Sequence, residues 1–199
     1  MTSNRFSTRN LVLVAIGIAL NLALGQAASF LNLPIFLDSV GTVLAAVLAG
    51  PVIGGLTGLL TNLLWGLLQG PTAAFFAPVA MMIGIAAGLL ARAGLFRTWW
   101  QAAISGAVIA VALAVVAVPI RIYLFGGVTG SGADFAVAYL LKVGESLFGS
   151  VLITVIGTNL VDKIVTALLV WGILRGLPTR AVGDWPFLAH SRALSLIHI

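Results

Sequence analysis

The stretch LDSVGTVLAAVLAGPVIGGLTGLLTNLLWGLLQG, residues 37–70, decides the fold. Asp38 is its only charged residue, and the next Asp, Glu, Lys or Arg along the chain is Arg92. A water-soluble domain covers its surface with polar and charged groups, which an uncharged run of this length does not supply. The whole chain is 61% hydrophobic and 8% charged, whereas soluble domains carry about 25% charged residues. The sequence therefore predicts an integral membrane protein.

A turn signal, Gly50-Pro51, divides this stretch into two short membrane helices. Asp38 is the expected N-cap of the first helix, and Pro51 is the expected first residue of the second. Repeated apolar runs of near-bilayer length predict helices rather than a barrel, because barrel strands alternate polar and apolar residues. The predicted fold class is an all-α integral membrane protein, a bundle of six transmembrane helices over residues 10–30, 38–49, 51–69, 71–91, 99–125 and 151–175.

The segment between the fifth and sixth predicted helices has a different character. Residues 133–150 look helical but contain Asp134, Lys142 and Glu145. Charged residues at this density make a poor lipid-exposed span. We expect a helical segment there that is only partly inserted in the membrane.

Basic residues predict the orientation of the bundle, because cytoplasmic loops of membrane proteins carry the excess of Lys and Arg. Six crossings leave Arg121 and Lys142 outside and put both termini in the cytoplasm, together with Arg5, Arg9, Arg92, Arg97, Arg175 and Arg180. One domain then covers residues 1–180, and a tail covers residues 181–199. The last six residues, LSLIHI, resemble a translated sequencing adapter, and we expect them to be an assembly artefact.

Several function classes are disfavoured by the residues that the chain lacks. It has no cysteine, and its two histidines, His190 and His198, lie outside every apolar run, so we expect no metal site and no cofactor. The loop GGVTGSG, residues 126–132, lacks the Lys-Ser/Thr of a phosphate-binding loop. The basic residues are scattered at helix ends and no nucleophile–base pair is evident, so we expect neither a nucleic-acid partner nor an enzyme.

The first predicted helix carries Ala15, Ala19 and Ala23 at intervals of four residues, which places them in one stripe. Small residues at this spacing let helices approach closely in lipid, where packing replaces the hydrophobic drive. The stripe serves either packing within the chain or contact with a partner, and the spacing leaves both open.

The third predicted helix presents Asn62, Trp65 and Gln69 on one face. Trp65 and Gln69 suit either the membrane interface or a binding site. Asn62 lies deeper, and a buried amide in lipid needs a partner, either another helix or a ligand. Near the outer end of the fifth helix, Arg121 is either directed to the lipid headgroups or a clamp for an anionic ligand group.

The sixth predicted helix contains Asn159, Asp162 and Lys163. A charge at mid-bilayer costs about 2.5–3.5 kcal/mol on insertion scales, so two in succession indicate a role. Successive helix residues do not face each other, so we expect Asp162 and Lys163 not to pair with one another. They form either an ion pair with Arg121 or Glu145 that locks the bundle, or part of a polar binding cavity or of a contact between the helix and a partner.

Three segments resemble the substrate-binding (S) components of energy-coupling factor (ECF) transporters: Ala15-x-x-x-Ala19, LDSVGTVLAAVLAGPVIGGLTGLLTN and the closing NLVDKIVTALLVWGILRGLP. The resemblance covers residues 10–178. It implies a multi-pass protein of the prokaryotic plasma membrane that binds a vitamin-like or other small water-soluble micronutrient from outside. A separate membrane coupling subunit and two ATPases would then power release of the nutrient inside.

The resemblance also implies roles for particular residues. The alanine stripe would contact the coupling subunit, and the binding cavity would lie near the outer side of the membrane. The candidate substrate-binding residues implied in this way are Asn32, Arg121, Tyr123 and Lys142, with Asn159 deeper, beside the polar helix residues Asn62, Trp65 and Asp162.

A different function is compatible with the same residues. A stand-alone secondary transporter or channel, acting as a homo-oligomer, would use Asp162 and Lys163 in a proton or ion path. Uptake in the absence of any ATPase distinguishes such a protein from an S component.

Overall fold

The computed structural model describes residues 7–31 and 35–177, and every regular element within those two ranges is an α-helix. In chain order the helices are α1 (Thr8–Phe30), α2 (Val40–Ala49), α3 (Pro51–Gln69), α4 (Thr72–Phe75), α5 (Ala77–Arg92), α6 (Trp99–Phe125), α7 (Asp134–Lys142) and α8 (Leu147–Gly176). Four of them, α1, α3, α6 and α8, are long and apolar enough to cross a membrane, and α2 and α5 are shorter apolar helices. An all-helical membrane protein is therefore confirmed, while six crossings and cytoplasmic termini stay predictions.

Most predicted helix boundaries agree with the structure to within a few residues. Pro51 stands in the first turn of α3, as its fixed backbone angle favours. The last helix starts earlier than predicted, at Leu147, because the Ser146 side chain accepts the amide N–H of Gly149 and caps it. The predicted segment before it contains α7, and the chain reverses at Gly144, whose φ of 98° suits glycine.

The single helix predicted over residues 71–91 is wrong, because the chain is divided there into α4 and α5 at Phe76. Pro78, in the first turn of α5, has no N–H to donate, and its ring would clash with a carbonyl one turn earlier in a continuous helix. Phe75 and Phe76 pack instead on Phe125 at the end of α6, with ring centroids 5.7 and 5.8 Å apart.

The short helix α2 lies at the centre of the bundle. Eight of its ten residues are buried, and it packs against α1, α3, α5 and α8. Glycines permit this close approach. A Cβ on Gly17 of α1 would lie 3.0 Å from the carbonyl oxygen of Gly41 in α2, and a Cβ on Gly54 of α3 would overlap Ala46 of α2. In lipid, tight packing of this kind holds helices together.

Asn21 of α1 ties three helices together. Its side chain is fully buried, and its Nδ2 donates to the Oγ1 atoms of Thr42 and Thr61 at 2.8 and 3.0 Å. Its Oδ1 accepts the amide N–H groups of Gly41 and Thr42 at 2.7 and 3.3 Å. Asn21 therefore caps α2 from a neighbouring helix, and the predicted N-cap role of Asp38 is wrong.

Basic and tryptophan residues gather at one end of the bundle. The Trp171 Nε1 donates to the carbonyl oxygen of Arg97 at 3.3 Å, and the Arg175 guanidinium carbon lies 4.5 Å from the Trp171 ring centroid. Trp99 and Trp100 are exposed at the start of α6, close in sequence to Arg97. Such a combination is typical of a membrane interface.

Replacing Asn21 with Leu should lower the unfolding temperature of the purified protein in detergent. The change removes the partner of two buried hydroxyls and two amide groups, at a cost of about 1–3 kcal/mol. Gln26→Leu is the matched control, because Gln26 lies on the same helix and its hydrogen bond to Gln69 is exposed. Equal losses of stability in the two variants would contradict the role given to Asn21.

Candidate functional site

A buried ion-pair cluster joins the middle of α8 to the start of α2. The Lys163 side chain is 2% exposed, and its Nζ lies 2.5 Å from Asp162 Oδ2, 2.7 Å from Ser39 Oγ and 3.3 Å from Asp38 Oδ1. A lysine ammonium has three N–H donors. These three acceptors therefore use the full donor capacity of Lys163.

Asp162 fixes the chain that connects α1 to α2. Its side chain is fully buried, and its Oδ1 accepts the amide N–H groups of Phe36 and Leu37 at 2.8 and 2.9 Å. Leu37 has a φ of 51°, a left-handed conformation that is unfavourable for a residue with a branched side chain. The hydrogen bonds that Asp162 accepts help to offset this strain, so the carboxylate anchors residues 36 and 37 on α8.

The prediction that Asp162 and Lys163 do not pair with one another is wrong. The spacing rule describes where Cβ atoms point, whereas the four-carbon stem of Lys163 carries its Nζ around the helix to the carboxylate. The predicted ion-pair partners, Arg121 and Glu145, are also not the partners of this cluster. The missed residue was Asp38, which is the only charge between residues 37 and 91 and was assigned to a helix cap.

Trp65 lies beside this cluster on the glycine side of α1. A Cβ built on Gly25 would be 3.1 Å from Cζ2 of Trp65 and 3.4 Å from Cβ of Asp38. Both side chains therefore pack against Gly25, where α1 has no side chain. The Trp65 side chain is half-buried, and that of Asp38 is 40% exposed. Trp65 and the partly exposed Asp38 are thus neighbours on α1, next to the buried ion pair.

The other polar candidates on α3 and α8 have partners within the protein. Asn62 Nδ2 donates to the carbonyl oxygen of Ala73 at 3.2 Å, which joins α3 to α4. Asn159 Nδ2 donates to the carbonyl oxygen of Val155 at 2.9 Å, within α8. Asn159 nevertheless stands one turn before Asp162, on the face of α8 that leads to the cluster.

Arg121 is buried and engaged with the loop that follows its own helix. Its Nε donates to the carbonyl oxygen of Gly127 at 2.9 Å, and its guanidinium forms an ion pair with Asp134. The Asp134 carboxylate also accepts the amide N–H groups of Thr129 and Gly130. These contacts fasten the α6–α7 loop and leave the guanidinium with internal partners.

The remaining candidates are separate from the cluster or lie outside the described residues. Tyr123 is 85% exposed at the end of α6, and Lys142 is exposed at the end of α7. Asn32 lies outside the described residues, as do the predicted tail and His190 and His198. Within the described ranges, no group of three or more His, Cys, Asp or Glu side chains is arranged to hold a metal ion.

The alanine stripe of α1 is on the surface. Ala15, Ala19 and Ala23 are exposed, whereas the opposite face of α1 is buried against α2 and α3 through Gly17 and Asn21. Of the two roles that the spacing left open, packing within the chain does not fit this exposure. The stripe therefore faces away from the other described helices.

A protein-family model for the substrate-specific component of ECF transporters matches residues 9–174 of the chain. The chain belongs to this family. The match confirms the resemblance based on the alanine spacing, the Gly-Pro turn and the closing helix. No curated protein and no solved structure matches the chain at a significant level. The family assignment makes the protein a membrane-embedded substrate-binding subunit for uptake rather than an enzyme.

In this S component, the residues brought together at the start of α2 come from three separate parts of the chain. The connection after α1 supplies Asp38 and Ser39, α3 supplies Trp65, and α8 supplies Asp162 and Lys163. No local sequence motif spans these parts. A lysine in the middle of a membrane helix needs a counter-ion, and the chain has only a few carboxylates that can supply one. This requirement was a stronger signal for the site.

Replacing Lys163 with Met should strongly destabilise the S component. It removes the counter-ion of a buried carboxylate, which costs about 3–5 kcal/mol. The double variant Asp162→Asn/Lys163→Met should recover most of that loss, because the Asn oxygen still accepts the two backbone N–H groups. Thermal unfolding in detergent measures both effects. A double variant less stable than Lys163→Met would contradict the pairing.

Acid should loosen the α6–α7 loop through Asp134, which lies in α7 and outside the long apolar helices. Burial raises the pKa of Asp134, but the N–H groups of Thr129 and Gly130 and the charge of Arg121 outweigh it, so the pKa falls below its ordinary 3.8. A carboxylate with a lowered pKa contributes stability that is complete above the unfolded-state pKa and is lost as the pH falls through the folded-state value.

The unfolding temperature measured between pH 7 and pH 3 should therefore decrease more in the wild type than in Asp134→Asn, which lacks the ionisation. Glu145→Gln is the control, because Glu145 is an exposed carboxylate in the next connection, between α7 and α8. A pH dependence that is the same in wild type and Asp134→Asn would show that the ion pair does not stabilise the loop.

Proposed function

We propose that this S component captures a small water-soluble micronutrient from outside the cell, at the outer end of α2. The observation that supports this site best is the accessible Asp38 carboxylate beside Trp65, above the buried Asp162–Lys163 pair. Nutrient sites in proteins combine an apolar or aromatic wall with a few fixed polar groups. These residues provide both kinds of group at the base of the proposed site.

The length of α2 supports a cavity at this position. Its ten residues extend about 15 Å, half of a hydrocarbon core about 30 Å thick. Its far end, at Gly50-Pro51, packs against Gly88 near the basic end of α5. The start of α2 would then lie at about mid-membrane, and the described residues just before it, 35–39, are not helical.

The hydrogen bonds that hold the residues at the base of the proposed site favour tight binding. Asp162 holds the connection through two backbone hydrogen bonds, and Lys163 holds Asp38 and Ser39. Groups that are ordered before the ligand arrives lose little conformational entropy when it binds. A receptor that must collect a scarce nutrient benefits from this arrangement.

Transport requires partners in this proposal. The exposed stripe Ala15, Ala19 and Ala23 presents a smooth surface on which a helix of a membrane coupling subunit can pack closely. Two ATPases bound to that subunit supply the energy. The setting is the prokaryotic plasma membrane, with the basic end of the bundle in the cytoplasm.

The test separates binding from transport. The variant Ala15→Trp/Ala19→Trp should abolish nutrient uptake in cells that contain the coupling subunit and ATPases, because the large side chains block close packing. The purified variant should still carry the compound that mass spectrometry identifies in the wild type. Val115→Trp is the matched control, since Val115 is 72% exposed but lies on α6, away from the stripe.

Normal uptake by the stripe variant would contradict the partner surface. Uphill accumulation by the purified protein in vesicles without any ATPase would contradict the division of labour and support a stand-alone transporter.

A further inference from the structure

We propose that the substrate carries a positive charge on or next to a flat ring, and that Asp38 and Trp65 recognise these two features. This inference rests on the proposed binding site and deepens it by giving the chemical class of the substrate. It follows from the charges at the start of α2 and from the partners that each charge already has.

The cluster contains two carboxylates and one ammonium group. Asp162 is fully buried and already accepts hydrogen bonds from Lys163 and from two backbone N–H groups, and Lys163 has no donor left for a ligand. Asp38 is different, because its only bond in the cluster is the 3.3 Å contact from Lys163 to Oδ1. One negative charge therefore remains, on a side chain that is 40% exposed.

A charge that complements the α2 dipole is the simpler explanation for Asp38, since carboxylates are favourable at helix N-termini. The contacts do not support it as the whole role of the residue. The amide N–H groups of Gly41 and Thr42 already bind Asn21, and the N-cap residue of α2 is Ser39 rather than Asp38. Asp38 thus has acceptor capacity that α2 does not use.

The two other cations on this side of the bundle, among the residues that the structure describes, do not neutralise Asp38. Arg121 is in an ion pair with Asp134, and Lys142 is exposed on α7. A net negative charge at membrane depth is unfavourable. A cationic ligand would remove it and gain a charge-assisted hydrogen bond.

Trp65 supplies the second feature. It packs on Gly25 next to Asp38 and keeps part of its ring accessible. Indole is the side chain that attracts cations most strongly over its face, and it also stacks on flat rings. A ring with a positive charge would satisfy the indole and the carboxylate together, whereas an anion would be repelled by Asp38.

The closing experiment titrates the purified full-length protein, freed of co-purified compounds, with probes of three charge classes by calorimetry at pH 7. The cations are thiamine, pyridoxamine and 1-methylnicotinamide, the neutral compounds are riboflavin, pyridoxine and nicotinamide, and the anions are nicotinate, biotin and pantothenate. We expect binding from the cation class. Tighter binding of a neutral or anionic probe, or no binding of any cation, overturns the inference.

Variants assign the binding to the residues. Asp38→Asn should weaken binding of the cation about tenfold or more, as expected for a hydrogen bond to a charged group. Asp38→Glu should retain more of the affinity, and Glu145→Gln, which removes an exposed carboxylate elsewhere, should leave it unchanged. Because the probe series uses the wild type, the inference remains testable if Asp38→Asn fails to fold.

The outcome also separates this inference from the proposed function. A neutral or anionic probe that binds the wild type but not Trp65→Ala would overturn the charge class and support the site. Cation binding that is unaffected by both Asp38→Asn and Trp65→Ala would contradict the site itself.

Discussion

The ion pair between Asp162 and Lys163 is the interaction on which the rest of this structure depends. Either charge alone in the middle of α8 would be costly in lipid, and together they neutralise each other at 2.5 Å. Their remaining bonding capacity reaches across the bundle to the α1–α2 connection. A polar contact within one helix therefore fixes the position of a different segment, the one that forms the floor of the proposed site.

The short central helix α2 brings the residues before its start to the ion pair. Because α2 is packed on glycines of its neighbours, it is enclosed by the bundle, and its ten residues are too few to cross a hydrocarbon core about 30 Å thick. Asn21 satisfies its first amide groups from α1, which leaves Asp38 accessible. Glycine contacts hold α2 near both of its ends, while Asp38, just before its start, keeps an accessible carboxylate for the proposed site.

The sequence predicted the helices well and the polar contacts poorly, for one physical reason. Apolar run length, the Gly50-Pro51 turn and the absence of charge are local features, and they gave the bounds of α3 and α6 correctly. The break at Phe76 is marked in the sequence by Pro78, which the prediction of one continuous helix did not take into account. The partners of Asp38, Asp162 and Arg121 come from segments distant in sequence or from loops, so helix spacing rules did not reveal them.

The most direct test of the account is a structure of the S component with its co-purified nutrient in a membrane mimetic. The account predicts that the nutrient lies at the start of α2, within hydrogen-bond distance of the Asp38 carboxylate and against the Trp65 ring, with the Asp162–Lys163 pair intact beneath it. A nutrient bound instead beside Arg121, Tyr123 and Lys142, with Asp38 turned away from it, would contradict the account.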